Sequence, residues 1–158
     1  MNSLSEAVDP ATLTGLRLFE LYRDGKVDPS GIATLLDLQC PEVEEGRIVF
    51  TCKTRPDFAN PLGMLHGGIA ATLLDSAMSC AVHTTLPANL ACASLDISVR
   101  YIRAGSLDGG ELRAEGRVVH RGRKVCTAEA NLTDEAGKLI ATATSSLMVI
   151  PIDRTSGT

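Results

Sequence analysis

Two kinds of hydrophobic periodicity divide the chain. Residues 67–85 are apolar nearly all the way round at helical spacing, which predicts a buried helix that ends before Pro87. From Ala91 onward the period is two, and apolar side chains alternate with polar ones along residues 95–101, 112–118, 126–132 and 139–150. This alternation is typical of half-buried antiparallel strands joined by short turns. The pattern therefore predicts one central helix followed by four strands.

The pattern before the central helix is less regular. Asp9 and Pro10 predict a helix start, and a broad apolar face continues from there until Gly25. Extended segments are expected at residues 33–40 and 46–54, with a turn between them and a loop at 55–65. We expect an α+β fold in which an antiparallel sheet wraps round the central buried helix. Residues 1–30 would form an N-terminal tail and an extra helix, 31–152 the main domain and 153–158 a loose C-terminal tail, with 1–8 disordered.

The composition narrows the functional classes. The chain has 158 residues, of which 44% are hydrophobic and 22% charged, as in an ordinary soluble globular domain. Aromatic residues make up only 3% and the net charge is −4, which argues against a nucleic-acid partner. The sequence shows no secretory signal pattern and no membrane-span pattern, so no membrane partner is expected. The five cysteines are widely spaced without a CxxC pair, and the three histidines lack metal-ligand spacing. We therefore expect no metal site, reduced thiols and a cytoplasmic location.

Asp75 is the single formally charged side chain between Phe58 and Leu95. It lies inside the predicted helix among small and aliphatic residues. A carboxylate in such surroundings is costly to bury in its ionised form without partners. Asp75 is therefore either paired by a residue distant in sequence or retained for chemistry. The other members of its polar stripe, at helical spacing, are Thr72, Ser79 and His83.

The residues before the helix form a more specific pattern. The segment Asn60-Pro61-Leu62-Gly63-Met64-Leu65-His66-Gly67-Gly68 precedes the helix, and Asp75 follows nine residues after His66. This constellation, ahead of four strands, resembles the PaaI-type branch of the hot-dog-fold acyl-CoA thioesterases over about residues 33–150. The resemblance implies a hot-dog domain that hydrolyses an acyl-CoA thioester to a carboxylic acid and coenzyme A. Because coenzyme A would be part of the substrate, no separate cofactor is expected.

The resemblance implies roles for two groups at the reacting carbon. The Gly67 backbone N–H would donate to the developing oxyanion, since a helix start offers free N–H groups and the positive end of a dipole. Gly68 would support the turn and let the substrate approach the backbone. Asp75 would act either as a general base on water or as a nucleophile on the acyl carbon.

Three further residues would assist. Asn60 would hold the water or the carbonyl, although an Asn before Pro is commonly a turn residue. His66 would hydrogen-bond near the thiolate leaving group, although a His beside Gly is commonly a capping residue. Ser94 corresponds to a serine that supports the water in some relatives.

Basic residues crowd one predicted turn between strands. Arg121, Arg123 and Lys124 there are either a solvated hairpin that discourages edge pairing or a clamp for the phosphates of coenzyme A. The resemblance favours the clamp. Arg100 and Arg103 are weaker candidates for the same role.

The spacing of the motif bears on oligomeric state. Gly67 and Asp75 lie eight residues apart, which is about 12 Å along one helix, so both can reach one thioester carbon only from two chains. A two-fold dimer with paired helices would supply two such sites. The resemblance implies a homodimer at minimum and a homotetramer built from two dimers.

Other questions stay open at this stage. The acyl pocket is expected to use helix residues such as Leu74, Met78 and Val82 together with parts of the partner chain, and periodicity does not determine which of them line it. Aryl, phenylacetyl-type and fatty acyl groups all remain candidates. The alternative functions are a hot-dog hydratase or dehydratase acting on acyl thioesters, and an acyl-CoA-binding regulator without turnover.

Overall fold

An antiparallel sheet of seven strands curves round one long helix. The computed structural model describes residues 9–29 and 31–152, so the predicted disordered lead at 1–8 and tail at 153–158 lie outside the described residues. In chain order the elements are α1 (Gly15–Arg23), α2 (Ile32–Leu35), β1 (Gln39–Glu44), β2 (Arg47–Lys53), α3 (Gly67–Thr84), β3 (Leu90–Ser94), β4 (Ser98–Tyr101), β5 (Glu111–Arg121), β6 (Val125–Thr133) and β7 (Leu139–Pro151). The strand order is β1-β2-β5-β6-β7-β3, and β4 pairs with β7 alongside β3. The predicted α+β architecture is confirmed.

The central helix α3 spans almost the residues that the apolar pattern predicted. It packs very closely on β5 at Gly116, which has no side chain. A Cβ atom added there would lie 2.2 Å from the carbonyl oxygen of Ala77. Leu74, Met78 and Val82 face this sheet and are completely buried. The prediction that these three side chains line an acyl pocket is therefore wrong, because the curved sheet covers that side of the helix and they fill the core.

The N-terminal segment does not form the single helix expected from Asp9 to Gly25. A short 3₁₀ turn at Pro10–Thr12 follows Asp9, whose side chain accepts the N–H of Ala11. α1 then begins after Thr14, whose hydroxyl accepts the N–H of Arg17 at 3.3 Å. Each of the two capping residues starts its own segment, which divides the predicted helix. Gly25, with φ of +66°, ends the helical region as predicted.

The first strand is displaced from its predicted position. Residues 32–35 form the single turn α2, and β1 runs through Pro41, where a turn was expected. β1 is an edge strand, and its pairing with β2 is irregular between Gln39 and Glu42. A proline is tolerated there because its missing N–H removes no central ladder bond. The second predicted segment, 46–54, is confirmed as β2.

The first of the four predicted later strands is broken in two, so the sheet has five strands after α3. At the break, the Asp96 side chain accepts the N–H of Ser146 at 3.0 Å and the Asp96 carbonyl accepts the Ser145 hydroxyl at 2.7 Å. Side chains expected to be half-buried are exposed here: Leu95 by 54%, Ile97 by 40% and Tyr101 by 55%. The sheet therefore ends in an apolar edge, which we call the β3–β4 edge (residues 90–101).

Candidate active site

The loop before α3 is organised by Asn60. Its side-chain oxygen accepts the N–H groups of Leu62 at 2.9 Å and Met64 at 3.1 Å. These bonds close the loop and account for the turn role that the sequence allowed. The carboxamide nitrogen of Asn60 makes no hydrogen bond to any described residue. Asn60 can therefore hold the loop with its oxygen while its NH₂ group donates to a ligand.

His66 caps the start of α3. Its Nδ1 accepts the N–H of Gly68 at 2.8 Å, which satisfies one of the free N–H groups of the first helical turn. In this arrangement the neutral ring carries its proton on Nε2. The geometry assigns the N–H of Gly68 to the cap, so Gly68 shapes the turn and Nε2 of His66 remains for a ligand.

Gly67, the first residue of α3, has a backbone N–H without a hydrogen-bond partner among the described residues. Its carbonyl oxygen accepts the hydroxyl of Tyr101 at 2.9 Å. A Cβ atom added to Gly67 would lie 3.1 Å from the Tyr101 ring, so a larger residue here would require the Tyr101 side chain to shift by a few tenths of an ångström. Tyr101 thus holds the peptide group that directly follows the candidate oxyanion donor, within the same residue. The sequence pattern, which placed Tyr101 only in an alternating strand, gave no signal for this contact.

A cavity of about 320 Å³ opens beside this group, and we call it the glycine cavity. Its lining includes the candidate donors of the loop and helix start together with apolar side chains of the neighbouring β4 region. The lining residues include Asn60, Met64, Gly67, Tyr101 and Arg103.

Asp75 lies half-buried on the face of α3 that is turned toward the β3–β4 edge. Its Oδ1 accepts the Ser94 hydroxyl at 2.7 Å, and the hydroxyls of Ser94 and Ser79 are 3.2 Å apart. No cation pairs with Asp75 among the described residues. The distant partner that the sequence required is therefore a serine hydroxyl. Ser79 was placed only in the polar stripe, although its position four residues after Asp75 on the helix could have pointed to it.

A second cavity, of about 410 Å³, borders Asp75, and we call it the aspartate cavity. It is lined by Ala71, Thr72, Asp75, Ser94, Leu95, Asp96 and Ile97. It shares no lining residue with the glycine cavity. Because α3 is continuous from Gly67 to Thr84, its two candidate groups stay about 12 Å apart along one helix. Within one chain the predicted site is thus two half-sites.

Two thiols close to the aspartate half-site are protonated at neutral pH. Burial raises the pKa of Cys92 to about 11, with the charge of Asp75 adding to the rise and that of Arg121 opposing it. Burial also raises the pKa of Cys80. A thiol in this state is a poor nucleophile, so these cysteines serve as small packing residues.

The basic turn lies on the same row of the sheet as Ser94. Strand register pairs Ser94 with Leu147, Leu147 with Cys126, and Cys126 with Arg121. Three strand spacings separate Arg121 from Ser94, which is about 14 Å. Arg121 bonds the Gly122 carbonyl oxygen of its own turn.

The other predicted cations differ in how they are engaged. Arg123 and Lys124 are exposed and make no ion pair with the described residues. Arg103, a weaker candidate, binds Asp134 at 2.6 Å and so anchors a turn. Arg123 and Lys124 are therefore better placed than Arg103 to bind an external anion.

Two negative findings concern the described residues alone. None of their helices has the length and hydropathy required to cross a membrane. They also contain no group of three or more His, Cys, Asp or Glu side chains arranged to hold a metal ion.

Comparison with known proteins identifies the family and the fold. The sequence profile of the thioesterase superfamily matches residues 62–141. Human acyl-coenzyme A thioesterase 13 is 30% identical over 97 residues, which cover 61% of this chain and 68% of that protein. A phenylacetic acid degradation-related protein from Ralstonia eutropha superposes with a TM-score of 0.75 at 29% identity, over 82% of this chain and 98% of its own. A Streptococcus mutans protein bound to acetyl-CoA superposes with a TM-score of 0.67 at 26% identity, over 72% and 89% of the two chains.

The matched range includes the His66-Gly67-Gly68 segment, Asp75, Ser94 and most of the later strands, and it begins just after Asn60. The predicted hot-dog fold and the predicted family are thereby confirmed. This chain belongs to the thioesterase superfamily and is a thioester hydrolase.

Proposed function

We propose that this protein hydrolyses an acyl-CoA thioester to a carboxylic acid and coenzyme A. The observation that carries the proposal is the unpartnered N–H of Gly67 at the start of α3, in a residue whose carbonyl oxygen accepts the Tyr101 hydroxyl. A fixed donor at a helix N-terminus stabilises the negative charge that develops on a thioester oxygen. The amide nitrogen of Asn60 is a second donor on the same side.

Asp75 acts as the general base in this proposal. The Ser94 hydroxyl occupies Oδ1 of Asp75, which leaves Oδ2 to accept a proton from water. The water oxygen bonds to the acyl carbon, and the carbonyl electron pair moves to the oxygen that Gly67 binds. When this pair returns, the carbon–sulfur bond breaks and the thiolate takes up the proton. The alternative, direct attack by Asp75, passes through an anhydride with the enzyme.

Each complete site is made by two chains. The glycine half-site and the aspartate half-site both adjoin exposed apolar side chains of the β3–β4 edge, where Leu95, Ile97 and Tyr101 are half or nearly half exposed. A second copy of the chain, packed with two-fold symmetry on this edge and on α3, would cover them. It would also place its Asp75 against the first chain's Gly67. Association of two such dimers into a tetramer stays a prediction.

The basic turn binds the phosphates of coenzyme A in this proposal. Arg123 and Lys124 are free of ion pairs with the described residues, and Arg121 lies about 14 Å from Ser94 along one sheet row. That separation suits a substrate whose charged nucleotide is remote from its reacting carbon. Arginine can bind phosphate oxygens through two parallel N–H groups.

Release of free thiol from an acyl-CoA tests the activity. The wild type releases thiol, and Asp75→Asn lowers kcat at least about a hundredfold, the usual scale for a positioned base. Asp57→Asn, which alters a highly exposed carboxylate, is the matched control and keeps full activity. A hydratase would change an enoyl-CoA without releasing thiol, and a regulator would bind acyl-CoA without changing it. Either result contradicts the proposal.

Single turnover in H₂¹⁸O separates the two roles of Asp75. With enzyme in excess, a general base places one solvent oxygen in the carboxylic acid during the first turnover. A nucleophile instead puts an oxygen of Asp75 into that first product when water attacks the Asp75 carbonyl carbon of the anhydride, and the solvent oxygen then stays in Asp75. Unlabelled acid in the first turnover would therefore contradict the general-base role.

A further inference from the structure

A third cavity, of about 300 Å³, lies between the N-terminal helices and α3 and belongs to neither half-site. We call it the N-terminal cavity. Phe19 and Tyr22 of α1, Ala33 of α2 and Phe50 of β2 form its walls, and Ser76 and Cys80 of α3 form its floor. It is a ligand-sized space, since engineered cavities of about 150 Å³ already admit benzene.

The chemistry of the walls indicates a hydrocarbon occupant. Three of the five aromatic residues of the chain line this cavity, and the Phe19 and Tyr22 rings each lie 6.4 Å from the Phe50 ring. The Tyr22 hydroxyl is engaged by the Leu38 carbonyl oxygen. The only charged residue in the lining, Asp28, is exposed. The interior thus offers rigid apolar surface and little to bind a polar group.

The cavity lies within reach of the reacting carbon. Ser76, in its floor, directly follows Asp75 on α3. Successive helical residues are about 100° apart, so the path round a helix of about 10 Å diameter is about 9 Å. An extended chain advances about 3.5 Å for every three bonds, so roughly eight carbons cover this path. An acyl chain of more than about eight carbons is therefore long enough to extend from Asp75 to the cavity.

We propose that the N-terminal cavity binds the far end of a long aliphatic acyl chain, of about twelve to sixteen carbons, whose thioester lies at Asp75. This assignment rests on the proposed function and adds its substrate class. The walls from α1, α2 and β2 lie outside residues 62–141, the part that matches the superfamily profile. The floor, Ser76 and Cys80, lies inside that range.

Filling the cavity tests the assignment. Ala33→Leu and Ala33→Trp fill it in two steps from the α2 wall. Leu35→Trp, on the same helix at a position that is 64% exposed and outside the lining, is the matched control. In the wild type, kcat/KM is at least tenfold higher for dodecanoyl-CoA than for butanoyl-CoA. Ala33→Leu lowers this ratio of kcat/KM values, and Ala33→Trp brings it near one. Turnover of butanoyl-CoA stays unchanged in both variants, and Leu35→Trp keeps the wild-type ratio.

Binding of inert analogues separates this assignment from the proposed activity. Calorimetry with the thioethers dodecyl-CoA and butyl-CoA needs no hydrolysis. The wild type binds dodecyl-CoA at least tenfold more tightly, and Ala33→Trp removes the difference. This result without thiol release would overturn the activity and leave the cavity assignment standing. The cavity assignment alone would be overturned if the wild type released thiol without a chain-length preference. It would also be overturned if both Ala33 variants, with native circular dichroism spectra, kept the wild-type preference.

Discussion

Replacing Ser94 by alanine removes the one hydrogen bond that orients Asp75. The hydroxyl donates to Oδ1 at 2.7 Å, and the described residues give that carboxylate no other donor. In Ser94→Ala the carboxylate can leave the orientation in which Oδ2 faces the substrate. We therefore expect a fall in kcat with little change in KM, because this contact aligns the base and binds no part of the substrate.

The magnitude follows from the kind of bond that is lost. A hydrogen bond to a charged group contributes about 1.5–3 kcal/mol, and each 1.36 kcal/mol corresponds to about tenfold in rate. Ser94 is exposed and Asp75 half-buried, so water replaces part of the bond and the lower half of this range applies. We expect kcat to fall about thirteenfold to forty-five-fold. The same exposure limits the loss of stability, with Tm falling by less than about 3 °C.

The assay is thiol release at saturating acyl-CoA, together with a thermal unfolding curve at equal protomer concentration. Ser106→Ala, which alters an exposed serine in the loop after β4 and outside both half-sites, is the matched control and keeps wild-type kcat. Ser94→Thr retains a hydroxyl and recovers part of the rate. A Ser94→Ala enzyme with kcat within twofold of the wild type would refute the positioning of Asp75 by Ser94.

Three further predictions follow from separate contacts. Tyr101→Phe removes the bond to the Gly67 carbonyl oxygen, so kcat falls about threefold to tenfold, and an unchanged kcat would show that this contact does not position the oxyanion donor. Neutralising Arg121, Arg123 and Lys124 together raises KM for acyl-CoA more than it lowers kcat, and it reduces kcat/KM less for a thioester that lacks the nucleotide. Equal losses of kcat/KM on both substrates would contradict the phosphate clamp. Burial lowers the pKa of His83, so the unfolded chain binds a proton at this residue more readily than the folded protein does. The free energy of unfolding therefore falls as the pH drops below about 6.5, and this fall ends once His83 is protonated in the folded protein too. Urea unfolding between pH 7.5 and 5 should show a shallower pH dependence in His83→Gln, and an equal slope in both proteins would contradict this origin.

The local pattern of hydrophobic and polar residues correctly predicted the central helix and the long strands. The apolar period and Pro87 set both ends of α3, and alternation located β5, β6 and β7. β1 was misplaced because a proline is normally read as a break, and only its position at the sheet edge makes Pro41 acceptable. The break at Asp96 depends on hydrogen bonds to Ser145 and Ser146, about fifty positions away, which no local pattern contains.

The candidate site shows the same division. Spacing was enough to place Gly67 and Asp75 on one helix and to conclude that one chain cannot bring them together. The contact of Tyr101 with Gly67 joins residues 34 positions apart and depends on how the sheet curves round α3. The N-terminal cavity likewise needs α1, α2 and α3 together, so periodicity alone could not identify the residues that line it.

If two chains share each site, two different inactive variants should restore activity when they form a mixed dimer. One variant carries Asp75→Asn. The other carries Asn60→Asp, which keeps the side-chain oxygen that closes the loop and removes the amide donor. If Asn60 and Gly67 of one chain face Asp75 of the other, a mixed dimer has one site with both changes and one with neither.

The most direct measurement is the activity of mixed dimers isolated with two different affinity tags after the two variants are refolded together. The shared-site account predicts about half the thiol release of a wild-type dimer that carries the same two tags, while each variant alone stays inactive. If all the groups acted within one chain, every site in the mixed dimer would keep one defect. Mixed dimers that are pure by both tags and release no thiol would contradict the account.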